Sequence, residues 1–333
     1  MRSPSARRRS AASRIPIVLW GIVVLAGLGA LVAALVPVGP EWLGGVGSVA
    51  VATAYTWSLA ARTGGRPLVF GGLALVVGIA VLALDEDYLR TGAAVMTCVV
   101  TAVFAVMATV PAPRYIHAIR ECVIAVLLSA IGALATVGFE PTITVTRFEY
   151  VTFGLSLVGA FLVVYRLGAG LHGLGRRGVV IVVVGGVLVA VSVLYAELIR
   201  RYGTPELVEA LLDAVRWSRD TLGAFPRPIE TILGIPALAY GCHMRARRRQ
   251  GWWVCAFGVA GTAAVANGLA NPAISFEESA LSVAYGLVVG LFLGYVVTRL
   301  DLALTGSSGG RGRRVAGSTA AVRPEPGRTE ALL

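Results

Sequence analysis

The chain reads as a succession of apolar runs, each about as long as a bilayer's hydrocarbon core is thick, separated by short polar turns. A spanning helix needs roughly 17–25 such residues. Ten runs qualify as candidates: 17–35, 42–61, 67–84, 92–110, 122–139, 148–165, 179–198, 229–242, 252–269 and 280–298. The pattern predicts an all-α integral membrane protein, a bundle of about ten transmembrane helices over residues 16–304. A basic segment, 1–15, precedes it. A Gly-, Ser-, Arg- and Pro-rich tail, 305–333, follows and is expected to be disordered.

Two stretches break the rhythm. In 204–223, Val208, Leu211, Leu212 and Val215 recur at helical spacing opposite Glu206, Glu209, Asp213 and Arg216. Thr204 is suited to the N-cap and Pro205 to the first helical position. This is an amphipathic helix too charged to span, expected on the outer surface with Trp217 near the head groups. The second exception is 229–242, short for a span and carrying Pro236 near its middle, where a proline removes a backbone bond and kinks a helix.

Charge orients the series. Short arginine-bearing loops stay in the cytoplasm, and Arg245, Arg247, Arg248 and Arg249 form the densest run of the body. Counting outward from them places both termini and His172 inside, and Asp85–Glu86–Asp87, Glu140 and Trp217 outside. Arg200 and Arg201 would then lie outside, against the trend. The expected location is the cell (plasma) membrane, with the lipid bilayer as first partner.

Composition narrows the function classes. With 56% hydrophobic and 14% charged residues the chain is too apolar for a soluble domain. The net charge of +11 is all arginine against acid and suits loops facing anionic lipid; no nucleic-acid partner is expected. Cys98, Cys122, Cys242 and Cys255 lie within or at the edges of apolar runs without close pairing and read as small apolar fillers. The histidines His117, His172 and His243 fall at loop edges, away from positions that would hold a haem between helices. No catalytic residue, cofactor or metal ligand is expected. The outward acids Asp85, Glu86, Asp87, Glu140, Glu149, Glu197, Glu277 and Glu278 have the oxygen donors a hard cation prefers, although outer loops are where acids are permitted in any case.

Gly286, Gly290 and Gly294 repeat every fourth residue and form one small-residue helix face; Ala256, Ala260, Ala264 and Gly268 form another. Such faces let backbones approach closely, and the spacing predicts that spans nine and ten pack together. A face left exposed would suit a homo-oligomer or a membrane-protein partner. Within the runs no Asp, Glu, Lys or Arg falls near mid-membrane, which disfavours a proton-coupled pump; Glu230 and Glu197, roughly one turn from the outer boundary, come closest, and Asn267, Tyr55, Tyr195, Tyr240 and Tyr285 supply the remaining polar atoms. Glu230, Pro236, Tyr240 and Asn267 are the candidate lining of a pathway, since irregular backbone at membrane depth is tolerated where it is buried in protein or lines a cavity.

Ten spans divide into two sets of five, with Arg66–Pro67 ahead of Gly72 in one half and Arg227–Pro228 ahead of Gly234 in the other. In span count alone this layout resembles the drug/metabolite transporter superfamily, and the resemblance implies two halves of opposite orientation. The leading functional expectation is a transporter or permease for a small or lipid-linked solute. The alternatives are a non-catalytic scaffold or partner subunit and, third, a metal-dependent membrane enzyme with an outward acidic site. A transporter needs a cavity, whereas a scaffold needs an exposed small-residue face.

Overall fold

The computed structural model describes residues 15–36, 38–142, 144–169, 171–247, 251–306 and 325–332. All regular structure among them is helical: α1 (Ile15–Leu35), α2 (Leu43–Arg62), α3 (Pro67–Leu84), α4 (Asp87–Met107), α5 (Tyr115–Val137), α6 (Val145–Val164), α7 (Leu171–Tyr202), α8 (Pro205–Leu222), α9 (Ile235–Arg245), α10 (Gly251–Phe257), α11 (Val259–Leu269) and α12 (Phe276–Gly306). Two π-helical turns interrupt the series, Tyr165–Ala169 after α6 and Ile229–Gly234 ahead of α9. The basic N-terminus, Arg248, Arg249 and most of the tail lie outside the described residues.

Among the described residues seven stretches are long and apolar enough to cross a membrane: Pro16–Leu35, Pro67–Leu84, Asp87–Met107, Tyr115–Val137, Val145–Leu167, Gly251–Leu269 and Phe276–Leu304. The chain is therefore an all-helical multi-pass protein, and the expected count of ten is not confirmed. The other three segments are helical but differ in make-up. Small and polar residues such as Gly44, Gly47, Ser48 and Thr56 dilute α2, the apolar part of α7 is Val182–Tyr195, and a π turn divides residues 229–245.

Burial sorts the spans into centre and edge. Gly251–Leu269, which is α10 and α11 joined at Gly258, is 94% buried, whereas Pro16–Leu35 and Pro67–Leu84 are each 17% buried. The central pair therefore meets protein on nearly every side, and α1 and α3 present Leu and Val outward, as lipid-facing helices do. Around the centre, Ala102, Val106, Ala118, Val164, Ile235 and Leu238 join Trp252, Trp253 and Val259 in the principal core.

The small-residue faces pair differently from the expectation. A Cβ added at Gly290 would stand 2.7 Å from the Cβ of Ile235, and one at Gly294 would stand 3.1 Å from that of Ala239. On the opposite side, a Cβ at Gly234 would come within 2.0 Å of the Gly261 nitrogen, and one at Gly241 within 2.6 Å of the Cys255 sulfur. The glycine ladder of α12 thus seats residues 229–245, and α10–α11 hold the same segment from behind. On the α10–α11 side the contacts run through Cys255, Gly258 and Gly261 rather than through the side chains of the alanine ladder, so the eighth segment lies between the glycine face of α12 and this neighbouring stripe.

Opposite charges collect at opposite ends of the bundle. At the acidic end Arg90 pairs with Asp85 and with Glu140 (2.7 Å for the latter), Arg227 with Glu149 (3.1 Å) and Arg219 with Glu278 (3.1 Å). Here α8 forms as the spacing predicts: the Leu207 N–H donates to the Thr204 hydroxyl, and Gly223 closes the helix in the left-handed region. It is tied down by Tyr285, whose hydroxyl donates to the Leu222 carbonyl (2.8 Å). At the arginine-rich end, residues 325–332 depart from the expected disordered tail. They lie against the bundle, with the Leu332 N–H donating to the Arg62 carbonyl (2.9 Å).

The ladder makes a direct prediction. Gly290→Ala should lower the unfolding temperature in detergent, by the equivalent of about 1–3 kcal/mol of overpacking. Gly72→Ala, where a Cβ meets nothing within 4 Å, should leave it unchanged or slightly raised. Equal effects of the two substitutions would show that the α12 face carries no packing load.

Candidate functional site

The segment bearing three of the four candidate pathway residues is broken, though not as a simple proline kink. The Ile235 N–H reaches back to the Glu230 carbonyl, the five-residue spacing of a π turn. Pro236 then opens α9 within its first turn, where its missing N–H costs little. The turn turns Glu230 inward. Its carboxylate lies against α12 where Gly286 has no side chain; a Cβ there would sit 2.7 Å from Oε1. Both carboxylate oxygens are inaccessible and have no hydrogen-bond partner among the described residues. The nearest cation of its own segment, Arg227, is engaged with Glu149.

The four candidates are not drawn together into one pocket. Pro236 is buried beside Gly294 and Tyr240 is half-buried on α9. Asn267 points between α4 and α6, where its side-chain oxygen accepts from Thr152 (2.9 Å) and Cys98 (3.3 Å). Its polar atoms are committed to holding α11 against those helices. Of the outer acids, Asp85 and Glu140 are taken by Arg90, Glu149 by Arg227 and Glu278 by Arg219, and no group of three metal-ligating side chains occurs among the described residues. The side chains of His172 and Glu197 lie outside the described residues.

A cavity is present elsewhere. A half-open space of about 790 Å³ lies between α2, α3, α4 and the end of α6. Its walls include Phe70, Leu73, Val77 and Met96, all exposed on the flank of the bundle, so it opens sideways rather than toward either end. Thr56 and Thr63 also line it, but their hydroxyls donate to the Ala52 and Leu59 carbonyls of their own helix (2.7 and 2.8 Å). At the arginine-rich end the space finishes at the Thr63–Gly65 turn and at Arg166, which pairs with no acid among the described residues.

A third feature is a buried ionic cluster at that same end. Arg245, wholly buried, donates to the Thr109 hydroxyl (2.8 Å) and to Glu325 (2.7 Å), with its guanidinium 3.4 Å from the Trp252 ring centre. Arg62 donates to the Met107 carbonyl and to the carbonyls of Gly327 and Glu330. Glu121, also buried, accepts from Arg120 and from Arg328 of the C-terminal segment. Sequence reasoning passed over these residues because each arginine looked like an ordinary orienting charge. The only signal was local: RPEPGRTEALL is richer in acids, prolines and leucines than the SSGGRGRR stretch before it.

Fold and sites together define a polytopic α-helical membrane protein with a lateral apolar cavity, a broken inner segment and a buried arginine–carboxylate cluster at one end. No protein-family model, curated protein or solved structure matches the chain.

The Glu230 environment has a testable consequence. Glu230→Gln keeps the shape and replaces a carboxyl group that no described donor satisfies, so it should preserve or raise thermal stability. Gly286→Ala intrudes on the carboxylate and should lower it, and Glu230→Ala combined with Gly286→Ala should recover part of the loss. A non-additive recovery in this double-mutant cycle measures the contact. Strict additivity would separate the two residues.

Proposed function

We propose that the protein is a membrane carrier for an amphipathic, lipid-linked solute, residing in the cell membrane with its arginine-rich end in the cytoplasm. The observation that carries this reading is the sideways-opening cavity. Its volume is within the range of about 300–1,000 Å³ usual for ligand sites, and its walls are mostly apolar, with the Thr56 and Thr63 hydroxyls already bonded to their own helix, so they favour hydrocarbon over a polar solute. Arg166, which pairs with no acid among the described residues, supplies positive charge at the mouth, where an anionic head group on an inner-leaflet lipid would lie. A solute of this kind enters from the bilayer and needs no aqueous tunnel through the bundle.

The broken segment is the part best suited to move. A π turn followed by Pro236 has fewer continuous backbone bonds than a regular helix, and it is seated on glycines that offer a smooth face. Glu230, Pro236, Tyr240 and Asn267 are proposed to border the path that opens when this segment shifts, as discontinuous helices do in transporters. A scaffold would present its small-residue face outward; here Gly286, Gly290 and Gly294 are taken up by intramolecular contact, which favours the carrier.

Two measurements test the reading. Mass spectrometry of the protein purified in lipid particles should find a retained anionic amphiphile, and Ala74→Phe, which fills the cavity, and Arg166→Gln should each reduce it several-fold. Undiminished retention in both variants would refute the site. Orientation can be read by thiol labelling, since the four native cysteines are buried. A cysteine at position 87 should react in intact cells and one at position 166 only after the membrane is opened; the reverse order would invert the topology.

A further inference from the structure

The C-terminal segment is held by two reciprocal ion pairs. Arg245 of the bundle takes Glu325 of the segment, and Glu121 of the bundle takes Arg328 of the segment, each at 2.7 Å. Apart from Glu325, the partners of Arg62 and Arg245 are neutral: the carbonyls of Met107, Thr109, Gly327 and Glu330, and the Thr109 hydroxyl. Arg62 and Arg245 are also near enough to repel one another. The bundle's own buried acid at this end, Glu121, is already engaged by Arg120 and by the Val110 N–H.

Lifting the segment would therefore leave two guanidinium groups facing each other with no counter-charge. Uncompensated buried charge is costly, and removing one partner of a buried pair is strongly destabilising because the other charge is left alone. The segment also fills the pocket incompletely. Arg245 Nε is buried without a hydrogen-bond partner, with only the weakly accepting Cys255 thiol beside it, and Glu325 Oε1 is likewise unmatched. A carboxylate brings two acceptor oxygens and uses one here. A phosphate brings at least three, and arginine forks match phosphate geometry well.

We propose that Arg62, Arg245 and Thr109, on the Trp252 floor, form a binding pocket for a phosphate-bearing anion, and that residues 325–332 occupy it as a tethered competitor. Glu325 stands in for the phosphate and Arg328 anchors the competitor to Glu121. The segment and the anion exclude one another, so the state of this end of the bundle reports whether the anion is present.

The test uses the full-length chain in nanodiscs of phosphatidylcholine, whose phosphate is balanced by its own choline. For the wild type, inorganic phosphate should move the unfolding temperature no more than chloride at equal ionic strength. Glu325→Gln with Arg328→Gln should lower that temperature, and phosphate should raise it again saturably; adding Arg245→Gln should abolish the rise. If the double variant fails to fold, Glu325→Gln alone, which keeps the Arg328 anchor, decides the matter by the same readout. Restoration in phosphatidylglycerol discs without free phosphate would assign the pocket to a lipid head group, and restoration by inorganic phosphate alone would assign it to a soluble anion; both support the pocket. Absence of any phosphate-specific rise, or a rise that survives Arg245→Gln, would overturn it.

Discussion

The bundle depends on one close approach, that of the broken segment to its neighbours on both sides. Among lipid tails no hydrophobic effect drives helices together, so contact area and backbone proximity must do it. Gly234 against Gly261, and Ile235 against Gly290, bring the chain nearer than any side chain would allow. This proximity lets Gly251–Leu269 be buried almost completely, and it places Glu230 against the gap at Gly286. The same contacts that make the core dense also put its least satisfied carboxylate there.

The remaining helices are graded around that centre. The edge helix α3 touches the rest chiefly through α2, at points such as Gly71 beside Trp57 and Gly78 beside Val49. A helix attached along one side leaves a gap on the other, and the cavity lies in that gap. Density at the centre and looseness at the edge are thus complementary: the volume for a guest is found beside the helix that is attached along one side. The proposed guest accordingly meets the bilayer-facing flank, while the broken segment is the inner element able to respond.

At the two ends electrostatics replaces packing. The acidic end binds its loops with separate arginine–carboxylate pairs, most of them partly exposed and individually weak. The arginine-rich end instead buries its charges, and burial makes each pair depend on its partner being present. That difference makes the C-terminal segment consequential. A solvated pair can open with little effect, whereas Arg245 cannot lose Glu325 without taking another anion in its place.

Much of this was legible in the residues. Apolar length announced a membrane bundle, Thr204, Pro205 and Gly223 bounded the amphipathic helix, and the four-residue glycine repeat marked a packing face. Each of these is local, decided within a few turns of chain by hydrophobicity, capping or spacing. What only the tertiary structure decided was pairing. The face of Gly286, Gly290 and Gly294 looks the same whichever helix it meets, and only the assembled bundle shows that it meets Glu230, Ile235 and Ala239. That the Asn267 oxygen joins α11 to α4 and α6 through Thr152 and Cys98 is visible only in the assembled bundle. Arg62, Glu121, Arg245, Glu325 and Arg328 read as scattered charges, since the two ion pairs to the C-terminal segment span 80 and 207 positions. No periodicity links residues so far apart, and burial, which makes those charges matter, is a property of the assembled bundle rather than of any stretch of sequence.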